Sequence, residues 1–150
     1  TMQRNWIGRS TGADVDFVDI DPRSWNLCPA ALARKLDAAD RAGRLPAAII
    51  PVHLCGQSCD MAAIHALASR YGVRVIEDAS HAVGGAYRGR PVGACAWSDI
   101  TVFSFHPVKI ITTGEGGAAV TNDPALAEAL RLARSHGITR DPARMTRPDE

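Results

Sequence analysis

The sequence predicts an α/β domain in three layers, a mainly parallel sheet covered by helices. Short Val- and Ile-rich runs alternate with one-sided helical stretches along the chain. Those helical stretches also carry start and stop residues at the expected places. With 46% apolar and 22% charged residues in a chain of 150, a packed core is affordable and extensive disorder is not expected.

The apolar runs at residues 15–20, 47–52, 73–76, 100–105 and 117–121 are bounded by Asp, Gly or Pro and read as buried strands. Helical stretches at residues 29–42, 61–71 and 124–136 lie among them. Leu32 with Leu36, Ile64 with Leu67 and Tyr71, and Leu126 with Leu130 form their apolar stripes. Asp60 is placed to cap the second helix and Gly72 to stop it. Asp123-Pro124 opens the third and Gly137 closes it. Alternation of this kind favours parallel strands, because each crossover lays its helix back on the sheet. Residues 1–12 lack clear periodicity, and residues 139–150, with their Asp-Pro and Pro breaks, read as exposed loop.

Charge and composition narrow the classes of function. Seventeen basic against sixteen acidic residues, with no basic cluster interleaved with aromatics, argue against a nucleic-acid partner. The first ten residues lack the apolar centre of a secretory signal, and the longest apolar run is too short to cross a bilayer, so a cytoplasmic location is expected. Cys28, Cys55, Cys59 and Cys95 show no dense secreted-type framework and are expected to be reduced. His53, Cys55 and Cys59 lie close together, but no second paired knuckle accompanies them, and a structural zinc site is not expected.

The residues that carry chemistry sit at the predicted ends of two strands. Asp78 follows the run at 73–77, and Ser104 and Lys109 follow the run that begins at 100. Strand ends of a parallel sheet are where such folds bind ligands. Lys109 lies 31 residues after Asp78, among apolar neighbours that include Phe105, Val108, Ile110 and Ile111. A lysine that forms a Schiff base must spend part of its cycle as a neutral amine, which burial promotes. A strand-end carboxylate can hold a pyridine nitrogen protonated, and Ser104 offers a hydroxyl to a phosphate. The combination points to pyridoxal 5'-phosphate. Taken singly, a lysine in the place of Lys109 is more often snorkelling than catalytic, and a strand-end aspartate such as Asp78 is more often a turn cap. The run Gly114-Glu115-Gly116-Gly117 lacks the GxxxxGK[ST] pattern and leads into a strand, so it is not a nucleotide-triphosphate loop.

The segments EDASHAVGGAYRGRPVG, SDITVFSFHPVK and TTGEGGAAVTND closely resemble the DegT/DnrJ/EryC1/StrS family of nucleotide-sugar aminotransferases. The resemblance extends to VDFVDID, PVHLCGQSCDM and RSHGITRDP. It implies the fold type I architecture of pyridoxal-phosphate-dependent aspartate aminotransferases. It further implies Lys109 as the Schiff-base lysine, Asp78 as partner of the pyridine nitrogen, Ser104 as a phosphate ligand and His81 beside the cofactor's phenolic oxygen. His106 and Glu115 become candidates for the substrate pocket. Ile110 replaces the proline common at that place in the family.

By the same resemblance, glutamate would donate the amine and a UDP-linked 4-keto-6-deoxy sugar would accept it. The phrases around Lys109 and RSHGITRDP are most similar to the pseudaminic acid branch of the family, with other 4-amino nucleotide-sugar transaminases close behind. Family dehydratases are disfavoured, because they resemble this sequence with histidine in the place of Lys109. The family builds its pockets from two subunits, which implies a homodimer at full length. Its upstream phosphate-binding turn, its ring-stacking aromatic and its downstream small domain have no counterpart here. Residues 1–150 are therefore expected to be a partial large domain, either an internal piece of a longer enzyme or a silent fragment of one.

Overall fold

A computed structural model describes residues 12–139 together with 141, 143 and 145. The expectations for residues 1–11 and for most of the last eleven residues lie outside that range. Among the described residues, three α-helices, α1 (Pro29–Arg41), α2 (Met61–Tyr71) and α3 (Pro124–Arg134), accompany six strands. The strands are β1 (Ala48–Ile49), β2 (Arg74–Asp78), β3 (Ala86–Tyr87), β4 (Arg90–Pro91), β5 (Ile100–Ser104) and β6 (Gly117–Val120).

The main sheet has the order β1-β2-β5-β6. β1 and β5 flank β2 in parallel, and β6 closes the edge antiparallel to β5. β3 and β4 form a separate short hairpin. The fold is thus the α/β arrangement with a mainly parallel sheet that the alternating pattern predicts. The antiparallel edge arises because the loop at 105–116, with no crossover helix, joins β5 to β6.

Helix boundaries follow the local chemistry. The Asp60 carboxylate accepts from the Ala63 N–H at the start of α2, and Gly72 ends that helix in the left-handed conformation. Asp123 accepts from the N–H groups of Ala125 and Leu126 at the start of α3. Leu32 and Leu36 of α1 and Met61, Ile64 and Ala68 of α2 pack with Ile49, Val73 and Val75 of the sheet side. The densest core therefore lies between these two helices and the sheet. α3 contributes no fully buried residue, and Leu126 and Leu130 are half-buried.

One predicted strand is not formed among the described residues. Among the described residues, the run at 15–20 shows one bridge, Ile20 with Leu27, and Val15 and Phe17 are exposed. Asp16 and Asp19 accept from the backbone N–H groups of Phe17 and Ile20, so side chains satisfy donors that a ladder would have used. The run at 47–52 likewise shortens to two paired residues plus a bridge from Val52 to Asp78.

Ile64 is wholly buried in this core. Ile64→Ala is expected to destabilise the domain by about 2–5 kcal/mol, measured by denaturant unfolding.

Candidate active site

Asp78 and Lys109 are delivered to the same end of the sheet. Asp78 is the last residue of β2, held by its N–H to the Pro51 carbonyl and by its carbonyl to the His53 N–H, at 2.9 and 3.0 Å. The chain then turns sharply. Ser80 N–H donates to the Asp78 carboxylate at 3.0 Å, and Ala82 N–H donates to the Ala79 carbonyl at 2.9 Å. This turn presents His81, whose Nε2 lies 3.2 Å from the Lys109 Nζ. The loop at 54–56 packs directly beneath: Gly56 has φ +88, and a Cβ there would stand 2.9 Å from the His81 carbonyl oxygen.

Ser104 ends β5, paired with Gly117 of β6. A Cβ on Gly117 would lie 2.8 Å from the Phe103 carbonyl oxygen, so the glycine allows the two strands to approach where the Lys109 loop leaves and returns. Within that loop, Lys109 N–H donates to the His106 carbonyl at 2.9 Å and Thr113 N–H to the Phe105 carbonyl at 3.1 Å. His106 Nε2 and Glu115 Oε1 are 3.7 Å apart, both largely exposed. A pair so solvated contributes little to stability.

The structure therefore brings Lys109 against His81, next to the turn that Asp78 begins, and His106 against Glu115 on the adjoining loop. The apolar company of Lys109 does not enclose it, however. Lys109 is half-buried, whereas Val108, Ile110 and Ile111 are 78%, 63% and 50% exposed. They occupy a loop with no layer above it among the described residues. The chain's only other lysine, Lys35, is bound to Asp16 at 2.6 Å on α1.

A concavity of about 270 Å³ lies elsewhere, lined by Asn26, Gln57, Asp60 and Tyr87 among others and by none of the candidate residues. The sheet end is the better candidate, because it brings an amine against an imidazole beside the turn that a strand-end carboxylate begins. Trp25 is 64% exposed on a turn, and Trp6 is outside the described residues.

A buried polar cluster that the sequence reading missed lies on the other face of β2. His53 Nδ1 accepts from the Cys59 N–H at 3.2 Å, which leaves Nε2 to donate to the Glu77 carboxylate at 2.8 Å. Thr101 Oγ1 at 3.1 Å and Ser98 Oγ also donate to Glu77. His53 and Thr101 are fully buried, and Glu77 nearly so. The signal was present: Glu77 alternates with Val75 on the inward face of a strand, and a carboxylate there requires donors. Both ring nitrogens of His53 are thus engaged by protein groups. Cys59 donates its thiol to the Val52 carbonyl, and all four cysteines are free.

Residues 7–148 match the DegT/DnrJ/EryC1/StrS aminotransferase family. A GDP-perosamine synthase from Caulobacter vibrioides is 47% identical over 133 residues, covering 89% of this chain and 33% of the relative. The structure of a DegT DnrJ EryC1 StrS aminotransferase from Brucella abortus superposes with a TM-score of 0.81 at 38% identity, over 89% of this chain and 36% of that one. Helicobacter pylori PseC, an aminotransferase of pseudaminic acid biosynthesis, superposes with a TM-score of 0.78 at 34% identity, over 89% and 34%.

The fold is that of pyridoxal-phosphate-dependent fold type I sugar aminotransferases. This chain belongs to the DegT/DnrJ/EryC1/StrS aminotransferase family. It spans about a third of the length of the relatives it matches.

Burial pushes the Glu77 carboxyl up, but hydrogen bonds from His53, Ser98 and Thr101 outweigh it and leave it below its ordinary 4.5. The stability it contributes is therefore complete above 4.5 and is lost as pH falls through the lower folded value. Thermal midpoints measured downward from neutral pH should decline in that acid window, and less steeply for Glu77→Gln. Burial also pushes the Cys59 thiol up to about 11, so iodoacetamide at mildly alkaline pH should alkylate exposed Cys55 well before Cys59, read by peptide mass mapping.

Proposed function

We propose that this chain forms part of the cofactor-binding domain of an enzyme that transfers the amino group of glutamate to a UDP-linked 4-keto-6-deoxy sugar. The observation that carries the reading is the convergence of Lys109, His81 and Asp78 at one end of the β2–β5 pair, with Lys109 Nζ 3.2 Å from His81 Nε2. The donor set fits pyridoxal 5'-phosphate: an amine, a carboxylate and a hydroxyl at adjacent strand ends. When bound, that cofactor supplies an aldehyde for amines and a ring that accepts electron density.

Each residue then has a defined task. Lys109 holds the cofactor and, once released, moves a proton at Nζ to and from the reacting carbon. Asp78 would keep a proton on the pyridine nitrogen, His81 would serve the phenolic oxygen, and Ser104 would offer its hydroxyl to the phosphate. His106 and Glu115, on the exposed loop beside Lys109, would meet the sugar nucleotide. The phosphate-binding turn, the ring-stacking aromatic and the small domain would come from the rest of a longer polypeptide, and the working unit would be a homodimer. In this reading residues 1–150 are a partial large domain of a cytoplasmic enzyme.

Support for the acceptor comes from the motif resemblance and from similarity to PseC, an enzyme of pseudaminic acid biosynthesis. The reaction would be that of a UDP-4-amino-4,6-dideoxy-N-acetyl-beta-L-altrosamine transaminase. The higher identity to a GDP-perosamine synthase favours a second reading, in which the acceptor is another 4-keto sugar on a different nucleotide.

In the full-length protein, Lys109→Ala and Asp78→Asn are each expected to lower amino transfer by about 10²–10⁴-fold, assayed with glutamate against UDP- and GDP-linked 4-keto sugars. Preference for the GDP sugar would replace the acceptor assignment. Normal turnover by Lys109→Ala would remove the site assignment.

A further inference from the structure

The polar cluster under β2 makes contacts that reach beyond packing. His53 engages two successive residues of the strand end: its ring donates to the Glu77 carboxylate at 2.8 Å, and its backbone N–H donates to the Asp78 carbonyl at 3.0 Å. Cys59 N–H fixes the ring from behind at 3.2 Å. From the other side, Thr101 of β5 and Ser98 just before that strand bind the same carboxylate. Glu77 and Thr101 are direct partners in the parallel register. One buried carboxylate therefore ties the segment after β1 to β5 across β2, one residue before Asp78.

An unused brace of this kind would be an expensive way to build a core. A buried carboxylate needs several donors to be tolerated, and apolar residues of similar volume commonly serve stability as well. The cost is easier to understand where the neighbouring residue must be held in register. On the basis of the cofactor site proposed above, we propose that His53, Glu77, Ser98 and Thr101 form a positioning device that sets the Asp78 carboxylate against the cofactor. Glu77 and His53 touch no reacting atom. They act through the backbone of Asp78, whose N–H and carbonyl are both bound to the 51–53 segment.

The test uses the full-length protein with Glu77→Ala, Glu77→Gln and, as a packing control, Ile64→Ala. In cofactor-free protein, amide exchange at Asp78 and His53 should speed up in Glu77→Ala beyond the change seen in Ile64→Ala. In the loaded enzyme, the pH midpoint of the visible band of lysine-bound cofactor should shift in Glu77→Ala. Turnover should fall by about ten- to a hundredfold. Glu77→Gln should recover most of all three, because its amide can accept from His53 while Ser98 and Thr101 turn their hydroxyls to accept.

If Glu77→Ala does not fold, Thr101→Val removes one donor without changing shape and is read in the same way. Exchange and midpoint indistinguishable from those of the packing control would overturn the proposal. A parent enzyme with no lysine-bound band would defeat the cofactor reading instead, and the exchange measurement would still decide whether the brace holds Asp78.

Discussion

The last two residues of β2 face opposite ways, and most of what this chain does follows from that. Alternation along a strand turns Glu77 into the packed side and Asp78 toward the open sheet end. β2 is also the central parallel strand, paired with β1 on one side and β5 on the other. Its end position is thereby determined by two ladders and by the donors gathered on Glu77. The turn carrying His81 starts from this anchored point, and Lys109 arrives from β5 to meet it.

The two faces of the sheet are unequal. α1 and α2 cover one face with a dense aliphatic core, so the strands are rigidly held from below. The loop beyond Lys109 leaves Val108, Ile110 and Ile111 in solvent, and α3 buries no residue fully. The rigid face supplies the precision that a strand-end carboxylate requires. The open face is where the proposed sugar-nucleotide substrate would lie.

Much of this was legible in the sequence because the signals are local. Helix periodicity, Asp60 and Asp123 as caps and Gly72 as a stop were sufficient to place α2 and the start of α3. β2 and β5 announced themselves as β-branched runs. Residues 15–20 misled for a definite reason: a strand is made by a ladder, and along this run the described residues supply one bridge, while Asp16 and Asp19 bind the backbone donors of Phe17 and Ile20. The short hairpin of β3 and β4 was missed because two-residue strands carry no period.

The candidate site was legible as spacing and motif, but not as geometry. That Lys109 would contact His81 depends on how the loops at 79–85 and 105–116 fold back, which no periodicity encodes. The apolar neighbours of Lys109 suggested burial, yet neighbours in sequence do not enclose a side chain when the loop projects outward. The Glu77 cluster was hidden for the opposite reason: its members are scattered from 53 to 101 and converge only across three segments of chain.

The central claim is that the sheet end presents Lys109 to an aldehyde. Borohydride reduction of the full-length, cofactor-loaded protein, followed by peptide mass mapping, tests it most directly. A reduced pyridoxyl adduct on the peptide containing Lys109 is the expected result, and an adduct confined to another lysine would contradict the account.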